Sequence, residues 1–231
     1  MNRVDQQPSF ILKSQAFKET SVIHQVFTRD YGVLSIISKG SRAKKSKHGS
    51  LLQPFKRLLL SWVGKGELKT LTSVEQSGHD EQLKGTSLYC GFYVNELVLS
   101  LLHKHDAHCE LFNALEKVIL QLSENLDIEP KLRQFEKTLF EEIGYGLLLD
   151  VDIDTQEPIK NNSLYNYQLG YGAKIENNAQ NPQAISGGTL INLRENKLKD
   201  KVELSQAKRL MRRLIDAQLD GKTLKSRELF I

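Results

Sequence analysis

The sequence predicts an α+β multidomain protein in which an N-terminal five-stranded β-barrel is followed by a C-terminal α-helical domain. Short runs of apolar and β-branched residues, separated by turn signals, fill the first part of the chain, whereas apolar residues recur at helical spacing after Gly85. The length of 231 residues leaves room for two ordinary domains, and a hydrophobic content of 39% is compatible with sizeable cores. We therefore predict domains at residues 1–82 and 83–231.

Five strands are predicted in the N-terminal domain: Phe10–Leu12, Ser21–Thr28, Tyr31–Ser38, Phe55–Trp62 and Glu67–Val74. Turn signals at residues 30–32 and 64–66 separate neighbouring strands. Five short antiparallel strands in about 70 residues need a closed or nearly closed barrel to cover their edges. The OB-fold is the commonest five-stranded solution, and an SH3-like barrel fits the strand count almost as well.

Helical periodicity predicts three helices after the barrel, at Thr86–His103, Glu110–Ser123 and Lys131–Glu142. Residues of about 150–181 are rich in Asn, Asp, Gly and Gln, which indicates a loop-rich insertion of low structural content. Its tyrosines suggest partial ordering. Two further helices are expected, a short one at Gly187–Lys197 and a stronger one at Leu204–Leu219.

The charges are segregated along the chain, although the net charge is only +4. Lys and Arg outnumber Asp and Glu by 13 to 7 in residues 1–82 and by 12 to 7 in residues 161–231, but are outnumbered 14 to 7 in residues 83–160. Solubility alone needs no such segregation. The pattern therefore suggests a polyanion-binding surface assembled from the two basic regions.

The densest basic segment, which we call the basic loop, is residues 39–47 between the third and fourth predicted strands. It carries five cationic residues: Lys39, Arg42, Lys44, Lys45 and Lys47. So many charged side chains cannot pack in a core, and they must face solvent or a polyanion. We predict that this loop binds phosphate groups; a solvated mobile loop is the alternative.

A second basic surface is predicted on one face of the last helix, where it is formed by Lys208, Arg209, Arg212 and Arg213. Lys and Arg at this density release condensed counterions when they bind nucleic-acid phosphates. The alternative is an ordinary solvated face of an amphipathic helix. Barrel aromatics are candidates for stacking on bases, and we expect at most one or two of them to do so: Phe27, Tyr31, Phe55 and Trp62.

No catalytic or metal-binding motif is recognised. His103, His105 and His108 lie near Asp106 and Cys109, but the spacing provides no further ligand pair and favours a polar cluster at a helix end. The two cysteines lack a CxxC partner, so we expect free, buried thiols. The acidic run 150–154 lacks the Gly and distal Glu of a calcium loop and is interpreted as a solvated loop. We therefore expect no catalytic residue, no metal and no cofactor.

The chain shows no membrane or export signal. No window approaches the ~20 uninterrupted apolar residues of a membrane span, and the first residues lack the apolar core of a signal peptide. We expect a cytoplasmic protein that does not contact a membrane.

Several segments together resemble the bacterial RecO family of recombination mediators. They are, in order, residues 35–42, 51–55, 66–71, 88–97, 132–136 with 143–146, and 222–230. The resemblance covers nearly the whole length. It implies an N-terminal OB-fold nucleic-acid-binding domain and a C-terminal helical domain that act without nucleotide hydrolysis, in the cytoplasm and associated with the nucleoid.

The resemblance also implies partners. Proteins of this family bind single-stranded and double-stranded DNA, anneal complementary strands coated with single-strand-binding protein, and with RecR help to load RecA, which is thus an indirect partner. The acidic, hydrophobic-ended tail of single-strand-binding protein docks on the family's helical domain. Here Arg133 with Phe135 and Leu139 is the candidate tail site, a cation beside apolar side chains.

One departure from the family pattern concerns zinc. Many family members carry a four-cysteine zinc module in the C-terminal domain, but residues 150–181 contain no cysteine. The chain therefore resembles the zinc-free branch of the family.

Two other functions remain open from the sequence. In the first, the protein is an adaptor whose barrel binds a partner's peptide and contacts DNA incidentally. In the second, it is a metal-dependent nuclease built on His103, His105 and Asp106.

Overall fold

The computed structural model describes residues 3–42, 46, 48–78 and 82–230. The chain forms two compact units. Unit 1 comprises Met1–Asn125 with Leu224–Ile231, and unit 2 comprises Leu126–Thr223. Unit 1 therefore contains helices as well as strands. The predicted domain boundary at residue 82 marks the change from strands to helices, and as a domain boundary it stays a prediction.

Unit 1 is built on a closed five-stranded barrel, which confirms the predicted fold class. Its strands are β1 (Arg3–Phe17), β2 (Ser21–Thr28), β3 (Gly32–Ser38), β4 (Leu58–Val63) and β5 (Leu68–Gln76). The barrel order is β1-β2-β3-β5-β4, with β3 and β5 parallel and the other neighbours antiparallel. A barrel of five strands closed in this order has the topology of an OB-fold.

The first strand is much longer than the three residues predicted from its apolar run. Its N-terminal part pairs with β4 and its C-terminal part pairs with β2, and each pairing has a register irregularity. Many of its side chains outside Phe10–Leu12 are exposed and polar. The apolar pattern therefore marked only the segment that faces the core.

The barrel interior is apolar over most of its length. Its fully or nearly fully buried side chains are Ile11, Val26, Leu34, Ile36, Leu58, Leu60 and Trp62. Burying one such side chain stabilises the fold by about 1.5–3 kcal/mol. These side chains therefore stabilise the barrel that carries the loops at its ends.

Two helices of unit 1 follow the barrel, α1 (Thr86–Leu101) and α2 (Cys109–Ser123). The ring of Phe112 on α2 lies 5.3 Å from Phe10 and 5.6 Å from Phe27 between ring centroids, so α2 covers part of the outer barrel surface. A terminal 3₁₀ helix at Lys225–Phe230 completes the unit. Glu96 of α1 holds it by accepting hydrogen bonds from the backbone N–H groups of Lys225 and Ser226.

Unit 2 contains helices α3 (Ile128–Glu142), α4 (Gly187–Arg194) and α5 (Lys201–Gln218). It also contains a three-stranded antiparallel sheet of β6 (Leu164–Gln168), β7 (Gly172–Ile175) and β8 (Ile185–Ser186). Residues 150–181 are therefore more ordered than the sequence indicated. Among the helices in the described part of the chain, none is both long and apolar enough to cross a membrane.

The acidic run also has a structural role that the sequence did not reveal. Asp152 is 3% exposed, and its carboxylate accepts hydrogen bonds from the backbone N–H groups of Asp154, Thr155 and Ile175 at 2.6–2.9 Å. Burial raises the pKa of this carboxyl group, but the backbone hydrogen bonds outweigh it and the pKa is lowered. The interpretation of residues 150–154 as a solvated loop was therefore wrong at this position.

Candidate nucleic-acid interface

The start of the basic loop is attached to the turn between β1 and β2. The backbone N–H of Arg42 donates to the carbonyl oxygen of Thr20 (3.1 Å), and its guanidinium donates to the carbonyl oxygen of Lys18 (3.2 Å). Lys18, Lys39 and Arg42 are all exposed. Ser38, which precedes Lys39, pairs with Val22 at the start of β2. Three cations are therefore gathered at one end of the barrel.

The remaining cations of the basic loop, Lys44, Lys45 and Lys47, lie outside the described residues. Their assignment to DNA binding stays a prediction.

A shallow cleft of about 290 Å³ lies on the outer barrel surface of unit 1. It is lined by Lys13, Gln15, Ile23, Gln25, Leu99 and Lys104. Gln25 exchanges two hydrogen bonds with Ser35 on β3, at 3.1 and 3.2 Å. The cleft thus combines amide groups with two lysines, and the surface around strands 2 and 3 is where OB-folds bind oligonucleotides.

Lys13, Lys18 and Lys104 were not among the predicted site residues. Each is an isolated lysine in the sequence, so density of charge could not reveal it. The signal that could have identified Lys18 is its position in the turn between two predicted strands, next to an aromatic residue. Its ammonium lies 5.5 Å from the centroid of the Phe17 ring, which is 36% exposed.

Most of the candidate stacking aromatics belong to the core. Phe27, Phe55 and Trp62 are 0%, 7% and 2% exposed, so their rings are not available to bases. Tyr31 is 43% exposed and packs edge-on against Trp62, with 5.5 Å between centroids. Tyr31 thus remains a candidate for stacking.

The predicted basic face of the last helix lies on α5 in unit 2, where most of its cations make internal contacts. Lys208 forms an ion pair with Glu129 (2.8 Å), and Arg209 donates to the carbonyl oxygen of Ala184 (2.7 Å). Arg213 donates to the carbonyl oxygen of Tyr167 (3.2 Å), and burial, together with the charge of Arg209, lowers its pKa. Arg212 is exposed. These cations therefore help to join α5 to the rest of unit 2.

The predicted tail site lies in the interior of unit 2. Arg133, Phe135 and Leu139 are 5%, 3% and 0% exposed. The Arg133 guanidinium donates to the carboxylate of Glu136 at 2.6 Å, and Glu136 is itself fully buried. Arg133 thus forms a buried ion pair on the inner face of α3.

Two histidines of the cluster lie next to carboxylates in the structure. His105 lies 3.0 Å from Glu67 and His108 lies 3.5 Å from Asp106. The hydrogen bond and charge of His105 lower the pKa of Glu67. Among the described residues, no three His, Cys, Asp or Glu side chains come together as a metal site would require. Cys90 is buried as expected, whereas Cys109 is exposed, so the prediction of a buried thiol was wrong for Cys109.

Comparison with known proteins identifies the family of the chain. Residues 1–78 match the family described as Recombination protein O N terminal, and residues 82–228 match Recombination protein O C terminal. The chain belongs to the RecO family.

Full-length relatives agree with this assignment. The chain is 39% identical over 229 residues to the DNA repair protein RecO of Nitrosospira multiformis, covering 98% of this chain and 95% of the relative. It is 40% identical to that of Methylococcus capsulatus, covering 96% and 91%, and 37% identical to that of Coxiella burnetii, covering 98% of both chains. The RecO resemblance in the sequence is confirmed.

Proposed function

We propose that this RecO-family protein acts in DNA repair as a recombination mediator. It binds single-stranded and double-stranded DNA through the OB-fold of unit 1, anneals complementary strands coated with single-strand-binding protein and, with RecR, assists RecA loading. The observation that carries the proposal is the group of exposed cations Lys18, Lys39 and Arg42 at one end of the barrel. We further propose that it works in the cytoplasm, on DNA of the nucleoid.

The mechanism follows from charge neutralisation. Two DNA strands repel each other through their phosphates, and cations placed between them allow the strands to approach closely enough to pair. Phosphate contacts carry little sequence information, so one surface can serve any pair of complementary strands. Base pairing supplies the free energy of annealing. The proposed activity therefore needs neither a catalytic residue nor nucleotide hydrolysis.

Because Arg133, Phe135 and Leu139 are buried, we propose a different, exposed groove of unit 2 as the tail site. A groove of about 360 Å³ is lined by apolar and aromatic residues, which include Phe140, Tyr145, Leu148, Tyr167, Leu169 and Leu214. Tyr145 and Leu148 are more than half exposed. The side chain of Arg213 bonds to the Tyr167 carbonyl, so a cation lies next to this groove. An acidic tail with an apolar end would match both features.

Tail binding can be separated from DNA binding. We expect Tyr145→Ala/Leu148→Asp to lose most of its affinity for a synthetic tail peptide and to keep its affinity for naked oligonucleotide. The role predicted for Arg133 is tested beside it with Arg133→Ala, checked for folding because that change leaves Glu136 as a buried charge without this ion pair. Normal peptide binding by the groove variant would place the tail elsewhere.

The function is tested by annealing two complementary oligonucleotides, each precoated with the cognate single-strand-binding protein. The wild-type protein should accelerate annealing. Lys39→Glu/Arg42→Glu and Lys44→Glu/Lys45→Glu/Lys47→Glu should lose most of that acceleration. Lys84→Glu/Lys117→Glu is the matched control, because both lysines are exposed in unit 1 away from the basic loop in sequence. If the wild type gave no acceleration, the adaptor function would be favoured instead.

A further inference from the structure

A chain of hydrogen bonds passes through the barrel and ends in the basic loop. Ser14 Oγ lies 2.8 Å from Nδ1 of His24, and Nε2 of His24 lies 2.9 Å from Ser38 Oγ. Ser38 Oγ lies 2.7 Å from Ser41 Oγ. His24 and Ser38 are only 3% and 2% exposed. The central part of this series of hydrogen bonds is thus buried in unit 1.

These polar residues occupy positions where the barrel elsewhere has apolar side chains. Because side chains alternate along a strand, His24 shares its face of β2 with Val26, and Ser38 shares its face of β3 with Ile36. Val26 and Ile36 belong to the apolar core. A buried imidazole or hydroxyl is costly unless it is hydrogen-bonded, so the network must be complete to be tolerated. A complete network of this kind fixes the geometry of its members.

One consistent arrangement of the protons gives the single Ser38 hydroxyl proton to Ser41 rather than to the carbonyl oxygen of Val22, which lies 3.4 Å from Ser38 Oγ. In this arrangement Ser41 Oγ donates to the carbonyl oxygen of Ser38 (3.1 Å) and accepts from Ser38 Oγ. Ser38 Oγ then accepts from Nε2–H of His24, and Nδ1 accepts from Ser14. Burial lowers the pKa of His24 to about 4, which keeps the imidazole neutral and compatible with this arrangement.

The end of this chain lies between the cations of the candidate interface. Ser41 separates Gly40, which has a left-handed φ of 69°, from Arg42, which is bonded to the β1–β2 turn. The Ser41 bond to the Ser38 carbonyl closes the turn that contains Lys39. We propose that His24 is a positioning residue for nucleic-acid binding, which through Ser38 and Ser41 holds Lys39 and Arg42 in their phosphate-binding arrangement. This inference rests on the proposed function.

The two ends of the chain offer a matched pair of serine variants. Ser41→Ala removes the link to the basic loop, and Ser14→Ala removes the link on the far side of His24. We expect Ser41→Ala to weaken binding of a single-stranded oligonucleotide about three- to tenfold, roughly the effect of one lost hydrogen bond. Ser14→Ala should bind the oligonucleotide as the wild type does.

Variants of His24 itself test which of its two ring nitrogens supports the basic loop. The amide of Gln can replace Nε2–H and reach Ser38, whereas the shorter Asn can replace only Nδ1. We therefore expect His24→Gln to keep oligonucleotide affinity and His24→Asn to lose it, as Ser41→Ala does. Hydrogen exchange of the Arg42 backbone N–H, measured without DNA, should accelerate in His24→Asn and Ser41→Ala but not in His24→Gln.

The outcomes separate this inference from the function on which it rests. Normal binding and normal Arg42 exchange in Ser41→Ala would refute the positioning role and leave the proposed function intact. Equal loss of binding in Ser14→Ala and Ser41→Ala would refute it as well, because the effect would then be one of general stability. A wild-type protein that bound no oligonucleotide would refute the proposed function, and this inference with it.

Discussion

At the scale of single residues, His24 gives the stability of the barrel a specific pH dependence. Its pKa is lowered by burial from 6.5 to about 4. Above pH 6.5 the imidazole is neutral in both the folded and the unfolded protein. As the pH falls from 6.5 towards 4, the unfolded chain takes up a proton that the folded protein does not, so stability is lost in this window. Below pH 4 both states are protonated, and this loss stops.

The prediction is measured by urea unfolding at pH 8 and pH 5. Between these pH values, we expect the free energy of unfolding to fall by about 2 kcal/mol more in the wild type than in His24→Gln. His103→Gln, a change at an exposed histidine, is the control and should follow the wild type. Equal pH dependence of the wild type and His24→Gln would show that His24 does not contribute this term.

Residue roles were predictable from the sequence only where local pattern decides them. Lys39 and Arg42 could be identified because charge density alone excludes them from a core. Asp152 could not, since one of its hydrogen-bond donors, Ile175, lies 23 residues away. The role of His24 could not be predicted either, since its partners Ser14 and Ser38 lie on two other strands. Such non-local pairing leaves no mark in a short window.

At the scale of elements, two glycines of the barrel with a left-handed backbone conformation should differ in how well they tolerate replacement by alanine. Gly32, which begins β3, has a φ of 64°, and a Cβ there would lie 2.0 Å from the carbonyl oxygen of Asp106. Gly40 has a φ of 69°, but a Cβ there would meet nothing within 4 Å. At either position, alanine destabilises the fold by about 1–2 kcal/mol because it must adopt the left-handed conformation. Only alanine at position 32 also displaces backbone.

Urea unfolding of the two alanine variants tests this difference. We expect the free energy of unfolding to be about 1–3 kcal/mol lower for Gly32→Ala than for Gly40→Ala, because overpacking against backbone adds to the conformational strain. Similar stability of the two variants would mean that the contact between the β2–β3 turn and Asp106 relaxes without cost.

Element types were predicted better than element environments. Strand length and helical period identified all five barrel strands and the helices α1 to α5, although β1 extends well beyond its apolar run. The small sheet of unit 2 was missed because its short strands lie among Asn, Asp and Gly residues. Without that sheet, the contact of Arg213 on α5 could not be predicted, because Arg213 donates to the carbonyl oxygen of Tyr167 on β6. An amphipathic pattern shows which side chains share a face but not what that face contacts.

At the scale of the whole molecule, the charge distribution and the fold agree on one surface. The basic N-terminal part of the chain forms an OB-fold with exposed cations at the end of the barrel. Much of the second basic region is engaged within unit 2. The central claim is therefore that the barrel end, with Lys39 and Arg42, neutralises DNA phosphates.

The salt dependence of binding to a single-stranded oligonucleotide tests this claim most directly. For the wild type, the logarithm of the association constant should fall linearly with the logarithm of salt concentration. For Lys39→Gln/Arg42→Gln the slope should be shallower by about 1.4, since each phosphate contact on a single strand contributes about 0.7. Lys84→Gln/Lys117→Gln should keep the wild-type slope. A nearly flat dependence for the wild type, or equal slopes for all three proteins, would contradict the account.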